Sequence, residues 1–110
     1  MRVVVVEDDR DQRMILGALL TGIDVDMFPL PSAVPDDVLA AADVVVTDWL
    51  MAGECGADLV ARAADLCPDA RVYILSGMAA EILRDGQAGG ATVLSKPMPP
   101  TELVETIRGG

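Results

Sequence analysis

Four short apolar runs, each rich in β-branched residues and each ending on a polar side chain, constrain this chain's fold more than any other feature. Val3-Val4-Val5-Val6 leads into Glu7, Asp8 and Asp9, and Val44-Val45-Val46-Thr47 leads into Asp48. Val72-Tyr73-Ile74-Leu75 ends at Ser76, and Thr92-Val93-Leu94-Ser95 ends at Lys96, which Pro97 follows. Runs of this kind, separated by helical stretches, read as buried strands of a parallel sheet. Open parallel sheets bind ligands just beyond the carboxyl ends of their strands. The acidic cluster, the lone aspartate, the hydroxyl and the lysine are therefore expected to converge on one crevice. Lys96 is the only lysine in the chain, which gives its placement weight.

The segments between the runs carry helix signals. Asp9 or Asp11 can cap a helix running to about Leu20, with Ile15, Leu16, Leu19 and Leu20 as its buried face and Gly22 near its end. Asp24 to Phe28 reads as a second strand, followed by a loop punctuated by Pro29, Pro31 and Pro35. A short helix from Pro35 to Ala41 has proline in its first turn and Asp36 and Asp37 near its positive end. Further helices are predicted from Ala57 to Leu66, weakly from Ala79 to Asp85, and from a Thr101 cap to near Arg108. The expectation is five strands alternating with five helices, with no internal repeat.

Composition removes several classes of function. At 110 residues the chain has room for one domain with a real core and no second domain. A net charge of −10 argues against direct nucleic-acid binding and against an anionic membrane surface. No apolar run reaches membrane-spanning length, and the N-terminus does not read as a signal peptide. Cys55 and Cys67 match no zinc or redox spacing and suggest a reduced, cytoplasmic protein. The chain has no histidine, which excludes Ser-His or Cys-His nucleophilic catalysis and any His-ligated metal. A metal here would be a hard cation held by oxygen.

Glu7, Asp8 and Asp48 form the candidate carboxylate cluster. Like charges brought together raise one another's pKa unless a cation compensates, so the cluster implies a divalent ion. Mg²⁺ binds through one or two carboxylates and recruits phosphate oxygens as further ligands. Lys96 can then neutralise a phosphate oxygen as a point charge, and the Ser76 hydroxyl can donate to another. Asp48 is the carboxylate best placed to form an acyl phosphate by in-line transfer. Taken singly, each residue reads equally as a solvated loop acid, a turn serine or a surface cation; all of them in this strand order do not.

These residues resemble the receiver domain of the two-component response regulator family, from Arg2 to about Ile107. The family's acidic pair matches Glu7 and Asp8, its phospho-acceptor Asp48, its hydroxyl and following small residue Ser76 and Gly77, and its Lys-Pro pair Lys96-Pro97. The motif after the acceptor falls on Met51, Ala52 and Gly56, with Ala52 where the family usually has proline. Val93 stands where an aromatic switch residue is usual. The resemblance implies a flavodoxin-like doubly wound α/β fold, strand order 2-1-3-4-5, with five flanking helices and one receiver domain over residues 1–110. It implies Mg²⁺ held by Asp8, Asp48 and the Leu50 backbone carbonyl, with Glu7 reaching it through water. It further implies phosphoryl contacts from the Trp49 and Gly77 backbone N–H groups and a cis peptide bond before Pro97.

The function so implied is phospho-acceptance at Asp48 from a histidine kinase or histidine phosphotransfer protein, read out by a partner protein. Such a domain catalyses its own phosphorylation and dephosphorylation without being an enzyme toward a separate substrate. Leu50 and Met78 flank the path of the attacking water in such domains; both are apolar, which predicts slow loss of the phosphoryl group. Two other readings stand beside this one. A non-switching receiver-like interaction module would account for the missing aromatic at Val93. A Mg²⁺-dependent phosphohydrolase would place a second aspartate two residues after Asp48, where Leu50 stands.

Overall fold

A computed structural model describes residues 1–51 and 53–109 of the chain. Its frame is a five-stranded parallel sheet made of β1 (Arg2–Val6), β2 (Asp24–Phe28), β3 (Val44–Asp48), β6 (Arg71–Ser76) and β7 (Thr92–Ser95). The spatial order is β2-β1-β3-β6-β7, which is the 2-1-3-4-5 arrangement that the family resemblance implied. Two strands were not foreseen. Leu50–Met51 (β4) and Glu54–Cys55 (β5) pair antiparallel beside the end of β3.

Alternation along each strand sorts the core into two faces. Val3, Val5, Val44, Val46, Tyr73 and Leu75 pack against helices α1 (Arg10–Leu19) and α5 (Pro100–Gly109), through Leu16, Leu20, Leu103, Val104 and Ile107. Val4, Val6 and Val45 face the other way, onto Leu39 of α2 (Asp36–Ala40) and Leu59 and Ala63 of α3 (Gly56–Leu66). Ile74, on that same face, meets Val60 of α3, Ile82 of α4 (Ala79–Arg84) and the indole of Trp49. Because both faces are covered, the strands carry apolar residues at successive positions rather than at every second one.

Local signals held with small corrections. Asp9 caps α1, its carboxylate accepting the N–H groups of Asp11 at 2.8 Å and Gln12 at 3.2 Å. The buried stripe of α1 is Leu16 and Leu20 with Leu19 half-buried, whereas Ile15 is 42% exposed. At about 100° per residue, Ile15 lies roughly 90° from the centre of that stripe. Pro35 is the cap of α2 rather than its first residue, and its carbonyl accepts the Leu39 N–H at 3.0 Å. Thr101 does not cap α5. The helix starts at Pro100, and the Pro99 carbonyl receives the N–H groups of Glu102 at 3.0 Å and Leu103 at 3.2 Å. Proline at the first position suits a place where the N–H has no partner in any case.

Register carries the polar ends to one edge. Val6 pairs with Thr47, Asp48 with Leu75, and Ser76 with Ser95. The residues that follow, Glu7, Asp48, Ser76 and Lys96, therefore emerge side by side. Gly56 closes this edge: its N–H donates to the Trp49 carbonyl at 2.6 Å, and an added methyl there would collide with the Asp48 carbonyl. Replacing Gly56 with Ala should lower stability by about 1–3 kcal/mol, the usual result of forcing an atom into a packed site. Gly77, with open space around its α-carbon, should accept Ala with little loss. Urea denaturation of the two variants checks the contrast, and equal midpoints would show that the Gly56–Asp48 approach is not tight.

Candidate functional site

Asp48 ends β3 with 3% of its surface exposed, and Glu7, just past β1, is 8% exposed; Asp8 beside it is open to solvent. One carboxylate oxygen from each of the three lies within 4.8 Å of the others. The Lys96 ammonium reaches across from the end of β7 to 2.7 Å from Asp48 Oδ1. The ammonium is the close partner of a buried Oδ1 that makes no other hydrogen bond among the described residues. Ser76 is buried, and its Oγ accepts the Met78 N–H at 2.9 Å. That bond occupies an oxygen lone pair and leaves the hydroxyl proton free to be donated. The peptide bond between Lys96 and Pro97 is cis.

Electrostatics mark the acids as short of positive charge. Burial, then a hydrogen bond to Asp48 and the Asp48 charge, push the Glu7 carboxyl up to about 8 from an ordinary 4.5, while the Asp9 N–H and Lys96 oppose the rise. For Lys96, burial works against the ammonium, but Asp48, Glu7 and Asp8 outweigh it and the pKa is raised. Three acids converging on a single ammonium, one of them a carboxyl that tends to keep its proton, fit a hard divalent cation held by oxygen. Glu7, Asp8 and Asp48 each present one oxygen that could ligate it.

The crevice over Asp48 encloses about 190 Å³ between Trp49 and Leu50 on one side and Ser76, Gly77 and Met78 on the other, with Lys96 at the rim. The structure thus brings Glu7, Asp8, Asp48, Ser76, Gly77 and Lys96 together. The Trp49 N–H donates to the Leu75 carbonyl at 3.1 Å and does not face the crevice as a free donor. This bond extends the pairing of β3 with β6 by one residue, which the apolar pattern could not show. Leu50 and Met78 are 66% and 49% exposed at the crevice mouth. Val93 is half-buried and packs with the cluster around Trp49. Ala52 lies outside the described residues.

Other contributors escaped the sequence reading. Arg13, on α1, donates to the Glu7 carbonyl at 2.7 Å and holds the acidic loop from behind. Its place six residues after Glu7, on the first turns of a helix that starts from that loop, was the available signal. Glu54 and Ser32, which tie the β4–β5 hairpin to the turn after β2, left no such trace because they lie far apart in the chain.

Known proteins agree with this picture. The family model of the response regulator receiver domain matches residues 3–108. The response regulator receiver protein CpdR of Brucella abortus is 32% identical over 96% of this chain and 92% of its own length. Among solved structures, a two-component response regulator from Clostridium difficile superposes with a TM-score of 0.81 at 16% identity, over 99% of this chain and 93% of that one. The chemotaxis protein CheY4 of Vibrio cholerae superposes with a TM-score of 0.76 at 24% identity, over 98% and 96%. At these identities the two structures speak to the fold, while the sequence matches speak to descent. The chain belongs to the response regulator receiver domain family.

Proposed function

We propose that the chain is a single phospho-accepting receiver domain, modified on Asp48 by a histidine kinase or histidine phosphotransfer protein and read by a partner protein. The observation that carries this is the buried Asp48 carboxylate with Lys96 at 2.7 Å on one oxygen and the Glu7 and Asp8 acids beside it. No described helix is long and apolar enough to cross a membrane, which accords with a cytoplasmic setting.

In the transfer, a carboxylate oxygen of Asp48 forms a bond to phosphorus as the bond from phosphorus to the donor's imidazole nitrogen breaks, and the imidazole leaves with the electron pair. Mg²⁺, when held by Asp8, Asp48 and the Leu50 carbonyl with Glu7 nearby, supplies positive charge to the phosphoryl oxygens. Lys96 is positioned to move from the Asp48 carboxylate to a phosphoryl oxygen. Ser76, its oxygen already fixed by the Met78 N–H, donates its proton to another. Gly77 lines the same crevice, which supports its N–H as a further donor to the phosphoryl group. Recruiting the Trp49 N–H requires exchange of its Leu75 partner for the new oxygen. That exchange would move the peptide beside an indole packed on Ile82 of α4, a route to the surface that needs no aromatic at Val93. Leu50 carries no carboxylate two residues after Asp48, which disfavours a phosphohydrolase.

Incubation with acetyl phosphate and Mg²⁺ should add one phosphate to wild type and none to Asp48→Asn, by intact mass. An equal adduct on both would end this reading. Self-dephosphorylation should be slow, because neither Leu50 nor Met78 can orient a water by hydrogen bonding. Met78→Glu should shorten the lifetime of the adduct; an unchanged decay rate would remove Met78 from the water path.

Glu7 predicts a pH dependence in the absence of divalent ions. With its folded pKa near 8 and the ordinary value at 4.5, the native state keeps a proton that the unfolded chain releases across this window. Stability from this group is full below the lower value and lost as pH rises through the upper one. Thermal melts in chelator should therefore show Tm falling over that range in wild type and falling less in Glu7→Gln. Added Mg²⁺ should flatten the wild-type profile, and identical profiles for the two proteins in chelator would contradict the charge shortage.

A further inference from the structure

The Leu50 backbone belongs to a short hairpin, Leu50–Met51 against Glu54–Cys55, with two residue pairs among the described residues. At one end Gly56 N–H ties it to the Trp49 carbonyl at 2.6 Å. Near the other end Glu54 spends both carboxylate oxygens on a single distant residue. Oε1 accepts the Ser32 N–H at 2.9 Å, and Oε2 accepts the Ser32 hydroxyl at 2.6 Å. Paired hydrogen bonds to a charged acceptor are stronger and more directional than neutral ones.

Ser32 is itself held firmly. It lies in a single turn of 3₁₀ helix, Pro31–Ala33, between β2 and α2. Arg62 of α3 donates to the Pro31 carbonyl at 3.1 Å and to the Val34 carbonyl at 2.7 Å, with Asp36 at 2.7 Å completing its set. The turn is thus fixed from α3 on both sides of Ser32. Met51, paired with Glu54, is 2% exposed and packs under the hairpin with the residues of β1 and α3.

We propose that Glu54, through Ser32, is a positioning residue for the site: it fixes the hairpin so that the Leu50 carbonyl stands where a divalent cation between Asp8 and Asp48 requires it. The inference rests on the receiver reading, since it presumes that cation. Glu54 takes no part in the chemistry itself, so its loss weakens metal binding and leaves the phosphoryl transfer step alone once metal is saturating.

The test measures Mg²⁺ binding directly, through the fluorescence of Trp49 at the crevice, and beside it phosphorylation by acetyl phosphate as a function of Mg²⁺ concentration, in wild type, Ser32→Ala, Glu54→Ala, the double variant and Asp37→Ala. Loss of a group that orients a metal ligand usually costs tenfold or more in affinity. Glu54→Ala should raise the half-saturating Mg²⁺ about tenfold, with a near-normal maximal rate. Ser32→Ala, which keeps one of the two bonds and changes no charge, should raise it by about a third as much on a logarithmic scale. The double variant should be no worse than Glu54→Ala, because the two residues act through one contact. Asp37→Ala removes an exposed acid on α2 and should titrate as wild type.

Three results overturn the positioning role: Glu54→Ala titrating as wild type, effects that multiply in the double variant, or Asp37→Ala matching Glu54→Ala. The last would assign the effect to net charge alone. Wild type that is phosphorylated without Mg²⁺ dependence would overturn the receiver reading together with this inference, whereas a normal wild type beside an unaltered Glu54→Ala overturns this inference only.

Discussion

Parallel pairing in register is the constraint on which everything else in this molecule depends. Val3 faces Val44, Val44 faces Arg71 and Tyr73 faces Thr92 across adjacent strands, so the strands end together at one edge. A slip of one residue in a strand of this sheet would turn its inward side chains to the opposite layer of helices. It would also carry Asp48 or Lys96 away from its neighbours. The same pairing that buries the valines therefore sets the distance from Lys96 to Asp48, and packing and chemistry are specified by one arrangement.

The cost of that arrangement is concentrated charge. Three carboxylates meet where the protein has one ammonium, and two of the three are buried. Lys96 relieves part of the strain by lying on Asp48, and a raised Glu7 pKa relieves more by favouring the protonated acid. Such a site is poised toward additional positive charge. Its surroundings are stiff where the acids stand and lighter where a signal could leave. Arg13 and the Asp9 cap hold the acidic loop, and Gly56 packs on the Asp48 backbone. Beyond β6, α4 spans only Ala79–Arg84 and gives way to glycines with positive φ at 86, 89 and 90. Short helices with few buried contacts are the segments that open at low free energy.

Trp49 connects the two regions. Its backbone continues the bond pattern of the central strands while its indole rests among Val60, Ile74 and Ile82. In a chain with Val93 at the position of the usual aromatic, this residue adjoins Asp48 and shares a cluster with Ile82 of α4. The small side chain of Val93 packs against the same cluster.

The strand runs, their order around the crevice and the identities of Glu7, Asp8, Asp48, Ser76 and Lys96 were legible in the sequence. Buried parallel strands must be apolar at successive positions, and the polar residues ending them have only one edge of the sheet to occupy. Element boundaries followed where a cap was chemically distinct, as at Asp9, and slipped where two candidates stood together, as at Pro100 and Thr101. What local patterns could not carry were the contacts that do not follow from strand ends meeting at one edge. The exposure of Ile15 depends on how α1 rolls against the sheet and α5. The engagement of the Trp49 N–H depends on how far β3 and β6 stay paired, and the grip of Glu54 on Ser32 joins residues separated by a helix and two strands. The sequence alone determined which chemical groups meet, because strand period and strand ends are local properties. Only the tertiary structure decided which donors remain free to act there, because each backbone N–H is claimed by whichever acceptor the packing brings nearest.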